Sequence, residues 1–140
     1  MSNAIRDKRI DIVYYLLSKK EKINDDYFLR SKKLKLIVIP PSIKSIGLGV
    51  FKDCKNLTHI LLPPSITIIP DHSFNGCELL KKINIPSSVV TIGKQAFFKC
   101  TLLDTVSFEN NSQLIHIGEK AFSECYIMET IALPHFVDTI

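Results

Sequence analysis

The chain has 140 residues and a net charge of +4, with 46% hydrophobic and 23% charged residues. This length suits one domain, and the apolar content is high enough to exclude an intrinsically disordered chain. No run approaches the ~18 consecutive apolar residues of a membrane-spanning helix, which argues against membrane insertion.

The first predicted element is an amphipathic helix near the N-terminus. Four apolar residues are spaced at i, i+3, i+4 and i+7 and so share one helical face: Ile10, Val13, Tyr14 and Leu17. Asn24-Asp25-Asp26 then predicts a turn or a helix start. We predict that residues 1–33 form an N-terminal helical cap, because the end of a repeat array needs a cover.

The positive charge is concentrated in this N-terminal segment. Residues 1–35 contain ten Lys or Arg and five Asp or Glu, whereas residues 36–140 contain eight and nine. Aromatic residues do not alternate with the basic ones and no nucleic-acid-binding motif occurs, so we predict a solvated helix face and no nucleic-acid partner. The early apolar stretch Ile12–Leu17 is too short for a secretory signal, which predicts a cytoplasmic location by default.

The rest of the sequence repeats with a period of about 23 residues. Five columns of similar residues keep one register, which indicates a repeat architecture. The columns are Phe51, Phe74, Phe97 and Phe122; Cys54, Cys77, Cys100 and Cys125; Ile39, Leu62, Ile85, Phe108 and Leu133; Ile46, Ile69, Ile92, Ile117 and Ile140; and Pro40, Pro63, Pro86 and Pro134. Full units are predicted at 34–56, 57–79, 80–102 and 103–127, followed by a partial unit at 128–140.

Each unit reads L-x-x-I-x-I-P-x-x-V-x-x-I-G-x-x-A-F-x-x-C. The alternation in Ile83-Asn84-Ile85 predicts a short strand with two inward side chains. One unit cannot bury its apolar side alone, so successive units stack, with parallel strands about 4.8 Å apart. Proline ends the strand because it lacks an N–H group. Gly47, Gly93 and Gly118 are expected to adopt a positive φ.

The I-x-I-P, I-G-x-x-A-F and trailing Cys elements occur in this order, and segment 34–140 thereby resembles the BspA-like class of leucine-rich repeats from treponemal, other bacterial and protist proteins. It departs from the pattern at Pro70, Val50 and Ser73. The resemblance implies a leucine-rich-repeat solenoid of short parallel strands in stacked coils, here behind an N-terminal α-helical cap. It also implies an interaction or adhesion role, often as a cell-surface antigen, so surface association is the alternative location.

No residue pattern favours a catalytic, metal or cofactor site. The spacing of the four cysteines fits no zinc motif, and we predict buried free thiols that pack as small hydrophobic groups. The histidines form no metal-binding pair. His59 takes an outward strand position where it can meet a ligand, although a solvated surface histidine is the more common case. Without a nucleophile motif or a phosphate-binding loop, we predict that the chain is not an enzyme.

A protein-binding surface is predicted on the concave face of the strands. The side chains that flank the inward strand residues are expected to point outward there. They are Leu36, Val38, His59, Leu61, Lys82, Asn84, Thr105 and Ser107, with Thr130 and Ala132 in the partial unit. Solenoids commonly bind proteins on this face. The alternative is that these residues serve only the β propensity of the strands, since exposed apolar residues are common.

The partial C-terminal unit predicts self-association. Its inward columns contain Ile131, Leu133, Val137 and Ile140, which no later coil covers, and a strand near Ile131 would present unpaired backbone groups. A closed two-fold dimer is favoured if the N-terminal helix covers the other end, and filaments form if that helix undocks. A self-assembling structural protein is therefore the alternative function. The same edge would be covered if the chain were part of a longer solenoid.

Overall fold

The computed structural model describes the chain from residue 8 to residue 138, and side-chain environments from residue 13 onward. Within this range, one α-helix and nine short strands follow each other. They are α1 (Lys8–Leu17), β1 (Lys22–Ile23), β2 (Leu36–Val38), β3 (Ser45–Ile46), β4 (His59–Leu61), β5 (Ile68–Ile69), β6 (Lys82–Ile85), β7 (Thr91–Ile92), β8 (Thr105–Phe108) and β9 (His116–Ile117).

The strands form two parallel rows, with one strand of each row in every full coil. In the first row, β2 pairs with β4 and β6 pairs with β8, and β4 lies beside β6. In the second row, β1 pairs with β3 and β7 pairs with both β5 and β9, while β3 lies beside β5. Each strand thus pairs with the equivalent strand of the next coil, and the predicted solenoid of stacked coils is confirmed.

A column of stacked phenylalanine rings forms the centre of the core. The ring centroids of Phe51 and Phe74 are 5.3 Å apart, and those of Phe74 and Phe97 are 5.1 Å apart. All three rings are buried. The column ends on Phe28 at one side and Phe122 at the other, each stacked on its single neighbour and each half-buried.

The repeat register extends upstream of residue 34. Ile23 in β1 lies opposite Ile46 in β3, and the Phe28 ring stacks on Phe51 at 5.4 Å. Residues 21–31 therefore form the second half of a coil, which we call the first half coil. The division of the chain into a cap and a solenoid after residue 33 stays a proposal. In this proposal, α1 and the first half coil together cover the N-terminal end of the solenoid.

Helix α1 takes the place of a first-row strand beside β2. Leu17 is buried and Val13 is half-buried against the core, whereas Tyr14 is 39% exposed. The side chain of Ile10 lies outside the described residues. In the part of the helix where side chains are described, the face that packs is therefore narrower than the spacing predicted, and the cap is small.

The glycines after the second-row strands provide space for close packing of coils. The sequence-based expectation of a positive φ at Gly47, Gly93 and Gly118 was wrong, because φ is positive only at Gly49 and Gly76 among the described glycines. A Cβ atom on any of the first three would lie under 3.0 Å from backbone atoms of the preceding coil. Neighbouring coils approach each other too closely there for any side chain.

Two positions in each coil adopt the left-handed backbone conformation, and most of them are not glycine. One column consists of Asp26, Gly49, His72, Gln95 and Lys120, and the other of Arg30, Asp53, Gly76, Lys99 and Glu124. A residue with a side chain costs roughly 1–2 kcal/mol in this conformation. The coils thus contain a recurrent strain that glycine relieves at two positions.

Lys99→Gly is expected to raise the free energy of unfolding by about 0.5–1 kcal/mol, since glycine adopts a positive φ without steric cost. Lys99 is exposed with a φ of 58°, and the substitution removes only a weak contact between its ammonium group and the Phe98 ring. Urea denaturation measures the change. Lys94→Gly is the control: this exposed residue lacks a positive φ, and the substitution should destabilise. A Lys99→Gly protein less stable than wild type would contradict the argument.

Candidate functional site

The outward side chains of the first-row strands form one face, which we call the first-row face. The strand registers place Leu36 opposite His59 and Val38 opposite Leu61. The complete set is Leu36, Val38, His59, Leu61, Lys82, Asn84, Thr105 and Ser107. Six of these side chains are exposed, whereas Leu36 and Val38 are half-buried on the strand beside α1.

The first-row face has an apolar half and a polar half. Leu61 is 55% exposed and adjoins the half-buried Val38, so that an apolar surface lies at the first two coils. In the later coils, Ser107 Oγ donates a hydrogen bond to Asn84 Oδ1 at 3.0 Å. Asn84 Nδ2 in turn donates to Glu109 Oε1 at 3.4 Å. Asn84 and Ser107 are therefore linked to each other and to Glu109 by hydrogen bonds between neighbouring coils.

His59 lies on β4 with Leu61 and opposite Leu36, within the first two coils. Its Nδ1 atom is 2.9 Å from Thr58 Oγ1, and the Thr58 hydroxyl also contacts the backbone carbonyl of Lys35 at 2.9 Å. Among the described residues, no three His, Cys, Asp or Glu side chains lie together in a way that could hold a metal ion. The His59 side chain is exposed at the surface of these coils.

The C-terminal residues 128–138, which we call the tail segment, cover part of the last coil without forming a strand. The expected strand near Ile131 was wrong: residues 129–137 make no backbone hydrogen bond to β8 among the described residues. A strand at the end of a row has a neighbour on one side only and so gains fewer ladder bonds. Ile131, Leu133 and Val137 are partly buried against the core, while Ile140 lies outside the described residues.

A groove of about 550 Å³ lies between β8 and residues 132–136, because the tail segment does not pair with β8. Phe108 and Leu133 supply apolar walls, and Ser107 and Glu109 supply polar ones. Phe136 lines the groove and is 77% exposed. Thr130 and Ala132, the outward positions predicted for this unit, are exposed. The C-terminal end of the described coils thus presents apolar surface next to an open strand edge.

The cysteine column links each coil to the one before it. Cys77 Sγ donates a hydrogen bond to the Phe51 carbonyl at 3.1 Å, and the other three thiols make the equivalent bond at 3.0–3.2 Å. Burial raises the pKa of Cys54 and Cys125 to about 11, and it raises the pKa of Cys77 and Cys100 further. Because metals and electrophiles react with the thiolate, these protonated thiols are structural groups.

Comparisons with known proteins place this architecture among bacterial repeat proteins. A family model described as the BspA type leucine rich repeat region matches residues 21–140 in six copies. A leucine rich cell surface protein from Faecalibacterium prausnitzii A2-165 is 33% identical with a TM-score of 0.74, covering 78% of this chain and 28% of that protein. The T. pallidum leucine rich repeat protein is 30% identical with a TM-score of 0.76, covering 81% and 52%.

A leucine-rich repeat protein from Eubacterium ventriosum has the same fold at 23% identity, with a TM-score of 0.72 over 86% of this chain and 32% of that protein. The chain thus spans between about a quarter and half of the solved structures it matches.

No match was found among curated proteins. Within the described residues, no helix has the length and apolar content needed to cross a membrane. The family match starts where the first half coil starts, at residue 21.

Proposed function

This chain belongs to the BspA-type leucine-rich-repeat family, and we propose that it is a non-enzymatic protein-interaction module of the adhesion type. The observation that carries the proposal is the first-row face, with an exposed apolar side chain, Leu61, beside a polar half that is already hydrogen-bonded. A face built on paired strands loses little conformational entropy when it binds, which favours affinity. Catalysis, metal and cofactor have no part in this function.

The face suits a protein partner more than a small molecule. Its side chains spread over four coils, and the described groove includes only Ser107 of them. Leu61 is the proposed anchor, with Val38 at its side, because apolar anchors near the centre of a patch carry most of the affinity of an interface. Asn84 and Ser107 would then exchange hydrogen bonds with the partner backbone or side chains.

The proposal also concerns the cellular location of the protein. The F. prausnitzii relative is described as a cell surface protein. This description favours surface association for the present chain over the cytoplasmic location that the sequence analysis predicted. An adhesive role at a surface also agrees with a face whose side chains spread over four coils.

Leu61→Asp is expected to weaken partner binding about tenfold or more, because it places a charge at the apolar anchor. A protein retained by the immobilised wild-type chain from an extract of the producing cells and their surroundings is identified, purified and titrated calorimetrically. Ile68→Asp is the matched control: Ile68 lies in second-row strand β5 and is 52% exposed, against 55% for Leu61. Equal losses from both changes would count against the first-row face, and a wild-type chain that retains no protein would count against the function.

We also propose that copies of the chain associate through the C-terminal end. Ile131, Leu133 and Val137 keep part of their surface in water there, and Phe136 is 77% exposed. Burial of such side chains favours association, at roughly 25 cal/mol for each Å² of apolar surface. A self-assembling structural protein is the second candidate function, and the same exposed end supports it. A closed dimer and an open filament remain the two forms of this proposal.

A further inference from the structure

The last coil has a set of open hydrogen-bond donors. In every coil before the last, three backbone N–H groups of the second half donate to carbonyls of the next coil in one constant register. The Phe74 N–H, for example, donates to the Ala96 carbonyl at 2.7 Å. The equivalent donors of the last coil belong to Lys120, Phe122 and Glu124. None of these three has a backbone acceptor among the described residues.

The first half coil has the matching set of open acceptors. Its N–H groups are used in the regular way, as shown by the Asp26 N–H, which donates to the Leu48 carbonyl at 2.9 Å. Its carbonyls at Asp25, Tyr27 and Leu29 take the places that accept bonds in every later coil, and no described backbone group donates to them. Three donors at one end of the stack therefore match three acceptors at the other end.

The side chains at the two ends continue the same columns. Phe122 and Phe28 end the column of stacked rings and are half-buried. Each thiol donates to a phenylalanine carbonyl of the previous coil, as Cys125 does to Phe97, and the Phe122 carbonyl has no such donor in the described residues. Ser31 occupies the cysteine column of the first half coil and carries a hydroxyl that can donate this bond.

The two ends also differ in charge. Residues 18–35 contain seven Lys or Arg and three Asp or Glu, whereas residues 119–138 contain one Lys and four Asp or Glu. Opposite charges in one column already pair between neighbouring coils: Arg30 lies 3.8 Å from Asp53, and Lys55 lies 3.9 Å from Glu78. Ends with opposite net charges attract each other, and two copies of the same end repel.

The column register predicts which charges would meet if the first half coil followed the last coil. The pairs of opposite sign are Glu124 with Arg30, Lys120 with Asp26, and Glu129 with Lys35. One column brings together two acidic residues, Glu119 and Asp25. Three favourable pairs against one unfavourable pair support this arrangement.

We propose that copies of this chain associate head to tail, with residues 24–31 of the first half coil of one copy on residues 118–125 of the last coil of another. The Ile115 carbonyl is not part of this contact, because it already accepts a hydrogen bond from the Asp138 N–H of its own chain. This inference rests on the self-association proposed above and specifies its geometry. The contact joins two different surfaces and leaves each copy with one free end, so it propagates into filaments unless the rotation closes a ring. A two-fold dimer of C-terminal ends, favoured from the sequence, would place donors beside donors and acidic residues beside acidic residues.

Helix α1 limits this association. It lies beside β2, at the level that the tail segment of the other copy would occupy after stacking. The helix and that tail segment therefore compete for one place, and α1 has to leave it. Leu17 is buried there and Val13 is half-buried against the core. Among the side chains described from residue 13 onward, Tyr15 and Leu16 are 60% and 55% exposed, so only one face of α1 packs. In this proposal, α1 covers the N-terminal end of the free chain and undocks when two copies associate.

The test is sedimentation of the full chain over a range of concentrations. Arg30→Glu and Glu124→Lys should each raise the dissociation constant about tenfold, since each turns an attraction at the contact into a repulsion. The double variant in one chain should return to within about threefold of wild type, because the reversed pair forms again. Lys81→Glu, an exposed charge reversal in a middle coil, should leave association unchanged. Raising the salt concentration should weaken wild-type association.

Mixing the two single variants separates this geometry from the two-fold dimer. Arg30→Glu and Glu124→Lys chains carry complementary ends for each other, so their mixture should associate as wild type does. Arg30 lies far from the C-terminal contact of a two-fold dimer, so an Arg30→Glu chain that associates normally, or wild-type association that strengthens with salt, would overturn the head-to-tail geometry and leave self-association standing. A wild-type chain that stays monomeric at high micromolar concentration would overturn both, without affecting the test of the first-row face.

Discussion

Phe74→Ala is expected to lower the free energy of unfolding by about 3–5 kcal/mol, the usual cost of an aromatic cavity in a core. The Phe74 ring is fully buried between Phe51 and Phe97, at 5.3 and 5.1 Å from their centroids. Both neighbours belong to other coils, so the cavity removes contacts that hold three coils together. Denaturant unfolding followed by circular dichroism measures the change.

Two controls show whether the position in the column causes this loss. Phe136→Ala removes a ring that is 77% exposed and should change stability by less than about 0.5 kcal/mol. Phe122→Ala should cost less than Phe74→Ala, because Phe122 has one stacked neighbour and is half-buried. Equal losses at Phe74 and Phe122 would mean that the ring column does not stabilise the coils by stacking on both sides.

The coil architecture could be predicted from the sequence because a repeat places equivalent residues in equivalent surroundings. Ile60 and Ile83, the inward residues of β4 and β6, are buried as the alternation predicted. The cysteine column is also buried, as expected of free thiols that behave as small hydrophobic groups. Each coil contacts mainly its neighbours, so a local period is enough to specify the stacking.

The first half coil escaped the sequence analysis because it contains only half of the motif. Ser31 replaces the cysteine there, and α1 replaces the first-row strand. Two residues did carry a signal: Ile23 and Phe28 lie 23 residues before Ile46 and Phe51. A column that extends past the edge of a repeat array thus marks the true start of the coils better than the complete motif does.

The ends of the array could not be predicted because nothing repeats there. The sequence predicted that Leu36 and Val38 point outward, but it contained no information that α1 lies beside their strand and leaves them half-buried. It also predicted a strand near Ile131, whereas the tail segment leaves β8 unpaired. Both outcomes depend on packing between segments that have no equivalent elsewhere in the chain.

Stability is expected to fall steeply at alkaline pH because the thiols are buried. Burial raises the pKa of Cys54 and Cys125 from 9.0 to about 11. It raises the pKa of Cys77 and Cys100 as well, and the hydrogen bonds that their thiols donate to phenylalanine carbonyls hold the protonated form in place. The folded chain therefore keeps thiol protons that the unfolded chain loses.

The sign of the effect follows from proton binding. Between pH 9 and pH 11 the unfolded chain binds fewer thiol protons than the folded chain, so the free energy of unfolding decreases as the pH rises. Each thiol contributes about 1.4 kcal/mol per pH unit in the range where only the unfolded form has ionised. The contribution of the thiols is fully present below pH 9 and is lost as the pH rises through their folded pKa values.

The comparison of wild type with Cys77→Ala/Cys100→Ala isolates the thiols from lysine and tyrosine side chains that also titrate at high pH. The variant is expected to be less stable at pH 7, because the removal of two buried sulfur atoms leaves cavities in the core. Its stability should nevertheless fall less steeply than that of wild type between pH 9 and pH 10.5, because two of the four thiols no longer contribute to the slope while the lysine and tyrosine contributions stay the same. Urea unfolding under reducing conditions at several pH values gives both slopes. If the two slopes are the same, the thiols ionise as easily in the folded coils as in the unfolded chain. The core and the hydrogen bonds to the previous coil would then not keep the cysteine column protonated.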